Sequence, residues 1–229
     1  MDFTNRNLWV LFEWNGEVYY VTQTLLATWI IMAVLIIFTV IVRLSIRSYK
    51  AVPRGFQNVM ESIVDLMQGF ARSTMGPELE KWAGYFFGVF IFIIVSNYSG
   101  LFGLRPPTAD LATTGALALL TFVLIHCIGV RRMGRKYWKS YFQPIIFFLP
   151  LNIIGEISKP ISLAFRLFGN ILSGVIIVGL IYNMIPFALR FILPNIVHAY
   201  FDLFVGALQA YVFTVLSMTF IVQKASEDL

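Results

Sequence analysis

The sequence predicts an all-α membrane protein: N-terminal spanning helices, a cytoplasmic amphipathic helix, and a long tilted antiparallel helix hairpin. Three observations predict it. Hydrophobic residues make up 59% of the 229 and charged residues only 13%, where a soluble domain carries about 25% charged. Mean hydropathy is +0.79. Uncharged runs of about 20 residues or more, enough to cross a bilayer, recur along the chain. Residues 1–229 therefore form a single integral membrane domain, with almost nothing left for a soluble one. The net charge of +5 would suggest nucleic acid in a soluble protein. Here the basic residues cluster between apolar runs and read as topology signals, so no nucleic-acid partner is expected. Cys127 stands alone in an apolar run, which excludes a disulfide framework and a metal–thiolate site. No cleaved signal peptide is expected at the N-terminus.

Residues 1–20 are polar and aromatic, with Trp9, Trp14, Tyr19 and Tyr20 suited to the membrane–water interface, and are assigned outside. Residues 21–42 carry no charge and form the first span. Arg43, Arg47, Lys50 and Arg54 follow and mark the cytoplasm. In residues 53–72, Phe56, Val59, Met60, Ile63, Met67 and Phe70 recur at helical spacing among polar residues. That pattern predicts an amphipathic helix lying on the membrane surface or against a partner helix.

Residues 84–104 form a second span, containing Asn97 and ending at Arg105-Pro106-Pro107-Thr108-Ala109-Asp110. A Pro-Pro pair cannot continue a helix, so an external turn is expected. Residues 111–130 form a third span, followed by Arg131, Arg132, Arg135, Lys136 and Lys139. His126 within it reads as packed or hydrogen-bonded. Loops assigned inside also hold Arg72 and Lys81, whereas regions assigned outside hold only Arg6, Arg105 and Arg190. The positive-inside rule thus places the N-terminus outside and the C-terminus in the cytoplasm.

Residues 144–183 and 187–223 are longer than one crossing requires, so each helix must tilt or kink. Pro144, Pro150, Pro160 and Pro194 offer kinks, and the turn is expected between Met184 and Pro194. On the first of these helices, Lys159, Ser162, Arg166, Asn170 and Ser173 share one face by spacing, with Glu156 beside them. An arginine at the centre of a spanning helix costs roughly 2.5–3.5 kcal/mol on insertion scales. Guanidinium does not escape that cost by losing its proton. Arg166 therefore reads as a functional intramembrane charge, with a structural ion pair as the other reading. On the second helix His198, Asp202 and Gln209 share a face, with Gly206 between them. Folding the hairpin about its turn sets Gln209 opposite Arg166, Asp202 outward and Glu156 inward.

These residues carry a resemblance. The stretch Ser158-Lys159-Pro160-Ile161-Ser162-Leu163-Ala164-Phe165-Arg166-Leu167-Phe168-Gly169-Asn170 resembles the signature of subunit a of rotary (F-type) ATP synthases, bacterial type. The segment Leu208-Gln209-Ala210-Tyr211-Val212-Phe213 is similar to a later element of that family, and so is the Pro106–Leu111 turn. The resemblance covers residues from about 50 to the C-terminus.

It implies a stator subunit that is not an enzyme by itself, in the bacterial cell membrane. Its partners would be a ring of c subunits, the peripheral-stalk b subunits, the rest of the synthase and the lipid bilayer. No cofactor and no metal is implied. By resemblance, Arg166 faces an ion-binding carboxylate on each passing c subunit, and Asn170 and Gln209 lie near that contact. Asp202 would line the outer access path, and Glu156 and Lys159 the inner one. Some members carry a second ionisable residue five positions after Asn170; here Val175 stands there, and His198 is a candidate substitute one turn from Asp202. The expected function is translocation of protons, with sodium as the other candidate ion, through two aqueous half-channels that Arg166 keeps from leaking. The alternative is a secondary ion-coupled transporter with a charged midplane site, although no paired repeat is visible. An intramembrane hydrolase lacks its motifs, since neither His-Glu-x-x-His nor Gly-x-Ser-x-Gly occurs.

Overall fold

A computed structural model of the chain describes residues 7–45, 53–142, 145–184 and 193–225. Arg6, Arg47, Lys50, Pro144, the Met184–Pro194 turn from residue 185 to 192 with Arg190, and the last four residues lie outside them.

The chain opens with a short antiparallel hairpin of β1 (Asn7–Trp14) and β2 (Glu17–Thr22). Asn15 and Gly16 connect the strands with φ of 51° and 84°. Asn-Gly is the residue pair that tolerates two successive left-handed positions, so it closes a two-residue hairpin loop. The interfacial segment expected over residues 1–20 thus carries a hairpin that its aromatic content alone did not announce.

The rest of the described residues are mainly helical, as expected: α1 (Gln23–Ser45), α2 (Phe56–Met75), α3 (Ala83–Tyr98), α4 (Leu111–Met133), α5 (Arg135–Ser140), α6 (Leu149–Met184), α7 (Leu193–His198) and α8 (Gly206–Ala225). Among the described residues, five helical segments are long and apolar enough to cross a membrane: Gln23–Ser45, Glu80–Phe102, Leu111–Met133, Ile146–Tyr182 and Ile196–Ala225. The 36 residues of α6 run unbroken through Pro160, a length of about 54 Å at 1.5 Å per residue. Between α7 and α8 the helix continues as a π-helical stretch, Ala199–Val205.

Packing centres on α4. Helix α6 rests mainly on α4, and α8 rests on α3 and α4, while α6 and α8 touch each other less extensively. Two apolar cores result. One joins Ala71 and Met75 of α2, Phe86 of α3, Ile125 and Ile128 of α4, and Met218 and Ile221 of α8. The other joins Ile93 of α3, Ala118 of α4, Leu163, Ala164, Leu167 and Ile171 of α6, and Ala210 and Phe213 of α8. Only the second half of the α2 stripe is covered: Met67 is buried, whereas Phe56, Val59 and Ile63 are exposed.

The Pro-Pro turn is packed inward. Pro106 through Ala109 are buried against α1, α3, α4 and α6. Asp110 caps α4, one carboxylate oxygen accepting the Ala112 N–H at 3.0 Å and the other the Thr24 hydroxyl at 3.0 Å. A carboxylate at a helix N-terminus satisfies a donor that would otherwise be orphaned. Buried Asn97 donates its amide to the Gly206 carbonyl at 2.7 Å and accepts the Thr108 hydroxyl at 2.6 Å. One amide therefore ties together the end of α3, the Pro-Pro turn and the start of α8.

Candidate functional site

Helix α6 has two faces. Leu163, Ala164, Leu167 and Ile171 enter the second core. Turned away from them are Ser162, Arg166 and Ser173, all exposed, with Lys159 and Asn170 half-buried. The apolar set supplies the packing energy that holds the helix, and the polar stripe is carried on its outer side. Arg166 has no hydrogen bond or ion pair with any described residue. The Ser173 hydroxyl bonds back to the Asn170 carbonyl at 2.9 Å, a local satisfaction that demands no partner.

Gln209 is 6% exposed, on the inner side of α8. Arg166 and Gln209 thus belong to neighbouring helices without a direct hydrogen bond. Val175, where an ionisable group would stand in some relatives, packs against the second core.

His198 and Asp202, one turn apart on the same helical run, form a pair. His198 Nδ1 and Asp202 Oδ2 lie 2.6 Å apart across one helical turn, with the Tyr182 ring 6.0 Å from the imidazole. Asp202 sits in the π-helical stretch. Its carboxylate presses against Gly100, where an added Cβ would stand 3.0 Å from Oδ2. Gly174 similarly admits Phe201, whose ring would lie 3.1 Å from a Cβ there. Small residues let the π stretch approach α3 and α6. π-Helical turns are uncommon and concentrate at functional sites.

Glu156 and Lys159 also meet, at 2.9 Å. Sequence reasoning missed the third member. Lys224, at the end of α8, places Nζ 3.1 Å from the same carboxylate oxygen, Glu156 Oε1. It is only 5% exposed. Its ammonium lies 4.6 Å from the centre of the Tyr141 ring and 5.6 Å from that of Tyr137. The two tyrosine hydroxyls are 2.9 Å apart, and Tyr137 is also hydrogen-bonded to His126 Nδ1. A lysine near a span's end reads as a topology signal, and nothing local to it points to a carboxylate 68 positions away. A cleft of about 600 Å³ between α4, α5 and α6 opens onto His126, Tyr137, Tyr141 and Glu156, its walls otherwise mostly aromatic and aliphatic.

The sequence that carries these groups matches a protein family over most of its length. The family model for the ATP synthase A chain matches residues 25–222. The chain belongs to the ATP synthase A chain family. It is similar to ATP synthase subunit a of Moorella thermoacetica, 38% identical over 203 residues, or 87% of this chain and 88% of that protein. It is also 36% identical over 217 residues to the chloroplastic subunit a of Stigeoclonium helveticum, covering 90% and 85% of the two chains. The chloroplastic subunit a of Oedogonium cardiacum is 36% identical over 211 residues, 87% of this chain and 81% of that one. As an ATP synthase A chain this is a membrane-embedded, ion-translocating component of the synthase's membrane sector and not a catalytic subunit by itself.

Proposed function

We propose that this chain is the stator subunit against which a c-subunit ring turns, providing two aqueous half-paths for protons to and from a carboxylate on each c subunit. The observation that carries the reading is Arg166: exposed on a helix whose other face is core, and without an ion pair among the described residues. An unpaired charge at membrane depth is retained where a partner or pathway uses it. In this reading the carboxylate that compensates Arg166 arrives on another subunit.

A proton enters from outside along His198 and Asp202 and neutralises a c-subunit carboxylate. The neutral acid then passes through lipid, where the ionised form is strongly disfavoured. After nearly a full turn it reaches the inner path near Glu156 and Lys159, loses its proton and meets Arg166. The permanent cation favours the ionised carboxylate and repels a proton crossing directly between the paths. Asn170 and Gln209 flank the contact, and Ser162 and Ser173 line the same face. The electrical part of the drive is about 2.3 kcal/mol per charge per 100 mV.

In this reading the five apolar helices cross a bacterial cell membrane, with the N-terminus outside, the C-terminus in the cytoplasm, and α2 along the cytoplasmic surface. Peripheral-stalk b subunits hold the chain fixed. Native mass spectrometry of the purified complex tests the partners. Co-isolation with a ring of small helical-hairpin subunits is expected; a chain isolated alone and moving solute by itself is a secondary transporter instead.

A further inference from the structure

The cleft beside α5 lies away from Arg166. Ile157, on its wall, stands nine residues from Arg166, which at about 100° per residue sets the two on opposite faces of α6. The cleft forms where the chain folds back after α4. Gly134 turns it with a φ of 54°, and Gly129, lacking a side chain, seats the Tyr137 ring against α4. The cavity of about 600 Å³ is walled mainly by apolar side chains, among them Phe122 and Val130 of α4 and Ile153 and Ile157 of α6. Polar groups on its walls already have partners: His126 with Tyr137, Tyr137 with Tyr141, and Glu156 with Lys159 and Lys224. Such walls offer water few of the partners that hold it in a cavity. They suit hydrocarbon.

The basic end of α4 supplies the complementary feature. Arg131 lines the cleft, is exposed, and forms no ion pair among the described residues. Arg132 beside it pairs with Glu78. Exposed Arg135 and Lys139 of α5 add positive charge at the same end. The nearby carboxylates, Glu78 and Glu156, are each held by a cation, so they oppose an incoming anion little. Trp138, exposed on the wall, is the residue type that sits at headgroup level. Guanidinium takes a phosphate through two parallel N–H donors. Basic pockets between spanning helices recognise anionic lipid headgroups in this way. The volume falls within the roughly 300–1,000 Å³ of sites that enclose a small ligand. A partner helix, about 10 Å across with its side chains, is too wide to enter.

We propose that this cleft binds one anionic phospholipid, its phosphate on Arg131 and an acyl chain between Phe122, Val130, Ile153 and Ile157. The bound chain covers the side of the Glu156 cluster that faces the cleft and keeps bulk water from it. The inference requires only that the chain is embedded in a membrane, and is independent of the role given to Arg166.

Cys127, the single cysteine of the chain, is exposed on the cleft wall and reports its occupancy. The purified synthase, delipidated in neutral detergent, is treated with N-ethylmaleimide, and modification of the Cys127 peptide is timed by mass spectrometry. Dioleoyl phosphatidylglycerol should slow the reaction by about fivefold or more, because the occupied cleft excludes the reagent. Dioleoyl phosphatidylcholine, with the same chains and no net charge, should slow it much less. Glycerol 3-phosphate, the anion without a chain, should leave it unchanged. Arg131→Gln should remove the advantage of phosphatidylglycerol, and Arg131→Lys should keep most of it. Equal protection by the two lipids, or none by either, overturns the proposal. So does protection by glycerol 3-phosphate, which marks a soluble-anion site, or a full phosphatidylglycerol advantage in Arg131→Gln. A Cys127 peptide unreactive in the delipidated enzyme overturns it too, in favour of a covering subunit. Should Arg131→Gln not assemble, the wild-type comparison of the two lipids decides.

Discussion

The two polar clusters proposed to serve the outer and inner half-paths are built differently. The outer pair, His198 and Asp202, sits on one helical run, one turn apart, and is joined at 2.6 Å. The inner triad draws Glu156 and Lys159 from α6 and Lys224 from α8, with Tyr137 of α5 and Tyr141 just past its end packed against Lys224. The outer pair depends on local helix geometry, including a π stretch that presses Asp202 onto Gly100. The inner triad depends on where the end of α8 docks. Local substitution should therefore damage the outer side one residue at a time, and changes in helix docking should damage the inner side as a unit.

Four substitutions sharpen that contrast. The largest effect is expected for Asp202→Asn, which removes the titratable group of the outer pair. Proton flux should fall by about tenfold or more, a barrier increase of about 1.4 kcal/mol for each factor of ten. Unchanged flux across pH would make Asp202 a structural residue. Next comes Gly129→Ala, whose methyl meets the Tyr137 ring. Overpacking of this kind costs about 1–3 kcal/mol. Thermal unfolding in detergent should show the loss.

Thr108→Val is expected to cost a little less. It removes the donor to buried Asn97 Oδ1, and a buried acceptor left unsatisfied costs about 1–3 kcal/mol. Because Asn97 also bonds Gly206, loss of stability should come with altered outer-side flux and an intact inner pH profile. Smallest is Ser173→Ala, which deletes a bond to the chain's own Asn170 carbonyl. Stability should stay within about 0.5 kcal/mol, as at ordinary exposed sites.

The same contrast explains what was legible beforehand. Pairs on one helix follow from the 3.6-residue period, so Glu156 with Lys159 and His198 with Asp202 could be read from spacing. The two faces of α6 were equally legible, because Leu163, Leu167 and Ile171 alternate with Ser162, Arg166 and Asn170 at helical intervals. Lys224 was not, because its partner is set by tertiary docking of α8 beside α6. Tyr137 and Tyr141 were hidden for a similar reason: in a basic loop they resemble ordinary interfacial aromatics. The N-terminal hairpin had a local signal in Asn15-Gly16, which the aromatic interface reading overrode. The buried Pro-Pro turn had none, since proline reports a turn but not what packs over it.

The proposed role of Arg166 is to serve a carboxylate carried by another subunit. Gradient-driven ATP synthesis by the assembled enzyme carrying Arg166→Ala tests that directly, alongside native mass spectrometry to verify that the ring is still bound. If Arg166 meets that carboxylate, no coupled synthesis is expected in a complex of normal subunit composition. Synthesis at the wild-type rate in that complex would contradict it.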